Sequence, residues 1–128
     1  MTEYTNERYD ELKSRTKAFG FRAIRLWQSL PPRTDAQVIG KQLLRCATSV
    51  AANYRAACLA KSDRDLLNKI KICQEEADES TLWLEYLQEA NIVSAKALAS
   101  LLDESKQLTS IMTASSITIS RRLKQINP

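Results

Sequence analysis

Histidine is missing from all 128 residues of this chain. Its absence removes Ser-His-Asp and Cys-His catalysis, and with them the Glu-x-x-His pairs that build a di-iron centre inside a helical bundle. Glycine occurs twice and proline three times. That is too few turn-formers for an all-β sandwich, which needs a tight turn roughly every 8–12 residues. Gly20 and Gly40 stand alone, so there is no glycine-rich phosphate loop. No apolar run approaches the roughly 18 residues of a membrane span, and the opening stretch MTEYTNERYDELK is polar, unlike a secretion signal. These features predict a cytoplasmic protein with no membrane partner. The three cysteines, Cys46, Cys58 and Cys73, lack the CxxC spacing of a zinc or redox site. They fall within helical patterns, which predicts reduced, buried thiols packed as small hydrophobes.

Hydrophobic residues make up 44% of the chain, enough for a core, and the length suits a single domain over 1–128. The formal charge is +4, unevenly spread: residues 1–64 carry twelve Lys and Arg against six acids, residues 65–128 seven against nine. A basic half can face an anion or simply keep the surface solvated, and charge alone leaves both readings open.

The chain is organised around Gly40 to Leu87, which reads as a helix hairpin broken by a polar turn at Leu59 to Asp65. Before it, from Asn6 to Leu30, Tyr9, Leu12, Thr16, Phe19, Ala23, Leu26 and Leu30 alternate at spacings of three and four and share one helix face. A second line, Phe21, Ile24 and Trp27, is wider than one seam needs and predicts a further contact. Arg8, Arg15 and Arg22 recur every seven residues with Arg25 close by, a basic stripe away from the seam. Pro31 and Pro32 end this helix.

The second helix is expected to open at Thr34, with Gln37 completing a capping box. Ile39, Leu43, Cys46, Val50, Tyr54 and Ala57 form its seam; Leu44, Ala47 and Ala51, mostly small, permit close helix approach. Arg55 lies at the margin of that second line, where its charge needs a partner. Ser62 caps the third helix, with Asp63 and Asp65 in the first turn. Its seam is Leu66, Ile70, Cys73, Ala77, Ser80, Leu84 and Leu87. Beside the seam lie Ile72, Glu76, Glu79, Trp83 and Tyr86, a mixed acidic and aromatic strip that predicts a second contact surface. Asn91 closes the helix and Ser94 opens a fourth, whose seam is Leu98, Leu101, Ser105, Leu108, Met112, Ser115, Ile119 and Leu123. It ends in Arg121, Arg122 and Lys124, favourable to the helix dipole. Four long helices with short connections predict an all-α, up-down-up-down antiparallel four-helix bundle.

Catalytic and metal signals are thin. Glu75, Glu76, Asp78 and Glu79 all come from one helix and point in several directions, which does not make a metal site. Ser14 and Lys17 match S-x-x-K spacing, but the accompanying S-D-N and K-T-G elements are missing. The pattern predicts a protein that is not an enzyme and uses no cofactor. A nucleic-acid reading rests on Arg8, Arg15, Arg22 and Arg25 together with Lys41, Arg45 and Arg55, a rigid cationic array suited to phosphates without sequence readout. Arg45 and Arg55 have an alternative, ion pairs with Glu76 and Glu79 across a helix contact.

The segments SVAANYRAACLAKS and KIKICQEEADESTLWLEYL resemble the bacterial four-helix bundle family associated with intervening sequences of 23S ribosomal RNA genes, also labelled S23 ribosomal protein. The most specific parts are Ala52 to Ala56 and Glu75 to Ser80, followed by Trp83, Leu84 and Glu85. Other branches of the family carry Asn-Ile-Ala-Glu-Gly where this chain has Asn53, Tyr54, Arg55, Ala56 and Ala57. The resemblance implies a homopentamer of four-helix bundles with no enzymatic activity. A related protein of diversity-generating retroelements, similar in form, implies a nucleic-acid partner.

The expectation is therefore an oligomeric bundle binding RNA or DNA through Arg8, Arg15, Arg22, Arg25, Lys41 and Arg45. Its subunit contacts would draw on Phe21, Ile24, Trp27, Arg55, Glu76, Glu79, Trp83 and Tyr86. The alternative is a scaffold for a protein partner, without nucleic-acid affinity.

Overall fold

The computed structural model describes the backbone of residues 2–126 and the side chains of residues 6–125. Helices α1 (Thr2–Ser29), α2 (Thr34–Cys58), α3 (Asp63–Glu89) and α4 (Ala95–Ile126) form a four-helix bundle, and the described residues contain no strand. Cross-helix pairs fix the directions. Tyr9 meets Tyr54 while Trp27 meets Gly40; Val50 meets Cys73 while Cys46 meets Ser80; Thr81 meets Ser105 while Asp63 meets Arg122. Each neighbour therefore runs antiparallel to the last. The sequential pairs pack closely, and α1 approaches α4 least.

The seams follow the alternation in the sequence almost throughout. Leu12, Thr16, Phe19 and Ala23 of α1 and Ile70, Cys73, Ala77, Ser80, Leu84 and Leu87 of α3 are all buried. In α4 the burial reaches Ser116, while Ser115, expected in the seam, is only half-buried. The apolar core has two clusters. One gathers Phe19, Leu43, Val50, Leu84, Leu98 and Leu108; the other gathers Leu12, Tyr54, Ile70, Cys73, Met112 and Ile119. Buried hydroxyls are satisfied on the spot: Thr16 Oγ1 donates to the Leu12 carbonyl at 2.8 Å, Ser80 Oγ lies 2.8 Å from the Glu76 carbonyl, and Thr81 and Ser105 pair at 2.7 Å. No buried side-chain polar atom among the described residues lacks a partner.

Helix ends match the expected chemistry at α3. Ser62 accepts from the Asp65 amide at 3.1 Å, with Asp63 and Asp65 in the first turn. At its other end Asn91 takes φ 58°, and the Ile92 amide bonds the Leu87 carbonyl while the Asn91 amide bonds Gln88. That is a Schellman closure with asparagine in the left-handed position. The start of α2 corrects the sequence reading. Arg33, not Thr34, is the N-cap, and its side chain caps nothing. The capping box is replaced by the Asp35 carboxylate, which accepts from the Ala36 amide at 2.9 Å, and by the Gln37 amide, which donates to the Pro31 carbonyl at 3.1 Å. Starting one residue earlier puts Thr34 in the first turn and turns Gln37 back towards Pro31.

The two glycines sit where α1 and α2 touch. A Cβ on Gly40 would lie 2.5 Å from Leu30 Cδ1 and 2.8 Å from Trp27 Cε3, whereas one on Gly20 would lie 3.4 Å from the Ala47 carbonyl and the Thr48 Cα. Either alanine gains about 1 kcal/mol of helix propensity. At Gly40 that gain is outweighed by displacing an indole, an overpacking that costs about 1–3 kcal/mol. Gly40→Ala is thus expected to lower the thermal midpoint and Gly20→Ala to hold or raise it; calorimetry of both variants checks the order.

Burial pushes the Cys46 thiol up to about 11 and the Cys73 thiol up to about 12. An unfolded chain ionises its thiols near about 8.5 and so binds fewer protons at alkaline pH than the folded one. Stability should be flat in this respect below about pH 8 and fall as pH rises through about 9 to 12. Burial raises Tyr54 as well, which adds to the alkaline fall. Urea midpoints across that range should drop, and Cys73→Ala should shallow the slope.

Candidate nucleic-acid interface

Arg8, Arg15 and Arg22 do share one face of α1, and that face borders α4. Arg15 Nη2 lies 2.6 Å from Glu104 Oε1 and Nε 3.1 Å from Oε2, a bidentate pair, with Gln107 Oε1 3.2 Å from Nη2. Both partners are partly buried, and the hydrogen bond to Glu104 raises the Arg15 pKa. Arg22 Nη2 donates to Ser100 Oγ at 2.8 Å. Arg25 stacks over Phe21 with its guanidinium carbon 5.1 Å from the ring centre, a cation–π contact. Arg8 and Lys41 are exposed.

The two readings for Arg45 and Arg55 divide between them. Arg45 Nη1 lies 3.3 Å from Glu76 Oε2, and Nη2 makes a second ion pair with Glu79. Glu79 also accepts from Trp83 Nε1 at 3.1 Å, and the Trp83 and Tyr86 rings lie 5.7 Å apart. Arg55 is exposed and pairs with no carboxylate among the described residues. The margin position inferred for it comes from its neighbours in sequence, and the side chain is instead exposed to solvent.

Of the residues expected at a subunit contact, Phe21 is 53% exposed and Tyr86 45%, while Ile24, Trp27, Glu76, Glu79 and Trp83 are half-buried. Trp27 lies against Gly40 of its own chain. Phe21 and Ile24 line a shallow groove with Gly20, Thr48 and Ala51 on the outer face of α1 and α2.

Cys46 Sγ and the Glu76 and Glu79 carboxylates come within 4.8 Å of one another. They do not fit a metal centre: Arg45 already neutralises both carboxylates, and burial holds the thiol protonated at neutral pH.

The bundle also assembles a basic surface that periodicity did not reveal. The start of α1, the end of α2, the start of α3 and the end of α4 share one end of the molecule. Residues 2–12, 54–71 and 114–125, which build that end, carry nine Lys and Arg against six Asp and Glu. The signal was available: antiparallel order alone brings Arg55, Arg64, Arg121 and Lys124 to the same end as Arg8.

The Arg15–Glu104 pair bridges the loosest side of the bundle. Glu104→Ala leaves Arg15 partly buried without its partner, and about 1–3 kcal/mol of stability should go with it. Asp10→Ala, at the exposed pair with Lys13, provides a surface comparison with a far smaller loss. Denaturant titration of the two variants distinguishes them.

No curated protein matches the chain. A solved structure similar to it is the crystal structure of a protein with unknown function from the S23 ribosomal protein family of Bacteroides thetaiotaomicron VPI-5482. It is 29% identical, with a TM-score of 0.78, over 84% of this chain and 96% of that one. The family model described as 23S rRNA-intervening sequence protein matches residues 6–114. A match running from α1 into α4, on a fold shared with that structure, places the family resemblance of the Ala52–Ala56 and Glu75–Ser80 segments beyond coincidence, and the chain belongs to the 23S rRNA-intervening sequence protein family.

Proposed function

We propose that this protein is a non-enzymatic, oligomeric helical bundle of the cytoplasm that binds nucleic acid through basic surfaces without reading sequence. The observation that carries this reading is the convergence of cations at one end of the bundle, nine against six acids. Rigid helices hold them in place, so phosphates can be engaged without ordering a loop. Arg8, Arg25, Lys41 and Arg55 are exposed and form no salt bridge among the described residues. Arg15 and Arg45 contribute less, because carboxylates of their own chain hold them.

The exposed Phe21 groove on α1 and α2 and the Trp83–Tyr86 edge on α3 support self-association, with a homopentamer as the form the family resemblance implies. A scaffold for a protein partner is the second reading, favoured by the ion pairs that already occupy Arg15 and Arg45.

Binding to unrelated RNA and DNA fragments across a salt series, with the solution mass read on the same sample, tests both. Contact with about four phosphates should weaken binding roughly a hundredfold between about 50 and 200 mM salt. Replacing Arg8, Arg121 and Lys124 together by Gln should weaken it on every fragment alike, at unchanged mass, and Phe21→Ser should lower the mass. No binding at low salt would leave the scaffold reading.

A further inference from the structure

Between α1 and α4, at the basic end, the bundle holds a cavity of about 450 Å³. Of the α4 residues at this level Ala114, Ser115 and Thr118 are small and leave space unfilled opposite Tyr9. The floor is aliphatic: Leu12, Leu66, Ile70 and Ile119. Tyr9 and Tyr54 form one wall, their rings 6.5 Å apart and inclined at 47°. Two guanidinium groups, Arg8 and Arg122, complete the lining.

An aliphatic floor beside paired cations has the chemistry of a site for an anion with an apolar body. Ligand pockets of roughly 300–1,000 Å³ with a few placed polar groups are the usual size for such molecules. A bare phosphate would make no use of the floor. A nucleobase would find one half-buried ring, Tyr9, to stack on, since Tyr54 is only 2% exposed, and would leave the branched aliphatic floor unused. Arg122 donates to Asp63 Oδ1 at 3.1 Å through one nitrogen, which orients its guanidinium and leaves further N–H groups free. Arg8 has no salt-bridge partner among the described residues.

We propose that this cavity binds a medium-chain carboxylate, the alkyl body on the Leu12–Ile119 floor and the carboxylate held by Arg8 and Arg122. Charge complementarity sets the head group, and aliphatic area sets the tail. The site stands on its own lining, independently of whether the surrounding surface binds nucleic acid.

Calorimetric titration of the full chain with octanoate, octanol and inorganic phosphate tests it. Octanoate should bind saturably and about tenfold or more tightly than either control, the size of a charge-assisted hydrogen bond. Arg8→Gln, an exposed position, should weaken octanoate by a similar factor and leave octanol unchanged. Thr118→Trp, also exposed, fills the cavity and should abolish binding with the helical circular dichroism intact. Amide shifts on adding octanoate should centre on Leu12, Ile70 and Ile119. Equal binding of octanoate and octanol, equal binding of phosphate, undiminished binding by Thr118→Trp, or no saturable heat up to about 5 mM octanoate would each overturn the proposal.

Discussion

Close approach of α2 and α3 is the constraint on which the rest of the bundle depends. Cys46, Ala47 and Val50 on one helix face Cys73, Ala77 and Ser80 on the other, all at zero exposure. Side chains this small let the backbones come near enough for the Cys73 thiol to reach the Val50 carbonyl and for Ser80 Oγ to lie 3.2 Å from Cys46 Sγ. Once this hairpin is set, α1 docks on α2 and α4 docks on α3. The two outer helices are then held apart by the width of the inner pair, and their meeting is the loosest of the four. The polar bridges from Arg15 to Glu104 and from Arg22 to Ser100 follow from that gap, and so does the cavity where no bridge spans it.

The same gap decides which cations are available to a partner. Arg15 reaches Glu104 because α1 and α4 leave room for a guanidinium between them, and a partly buried bidentate pair is not readily surrendered to a phosphate. Arg45 lies on the exposed flank of the tight α2–α3 seam and is drawn onto Glu76 and Glu79. Arg8 lies beyond the last bridge, beside Tyr9 and the cavity. A heptad row of identical residues on one helix therefore becomes three environments, one per level of the bundle.

Helix number, seam positions and the caps at Ser62 and Asn91 were legible in the sequence, because each depends on residues within a turn or two of one another. The slip from Ser115 to Ser116 has a physical cause. A 3.5-residue alternation falls midway between 115 and 116, whereas the 3.6-residue turn of a real helix favours 116, and Ile119 beyond it stays buried as expected. Ion-pair choice was not legible: Arg15 and Glu104 are 89 residues apart, and no local period connects them. Arg45 was nearer to legible, since the facing seams of α2 and α3 set its register against Glu76 and Glu79.

Helix dipoles account for the charges at the basic end one by one but not for their sum. Two helix C-termini and two N-termini meet there, so dipole complementarity alone calls for cations on α2 and α4 and an equal number of acids on α1 and α3. Asp63 and Asp65 meet that demand at α3, and Arg122 pairs with Asp63 directly. The opposite end, residues 20–41 and 85–106, is close to the expected balance, with six Lys and Arg against five Asp and Glu. A larger excess at one of two ends with the same dipole content is not a by-product of helix dipoles. It raises the potential around the Arg8 and Arg122 cavity and over the surface beside it, and so favours an anionic partner there.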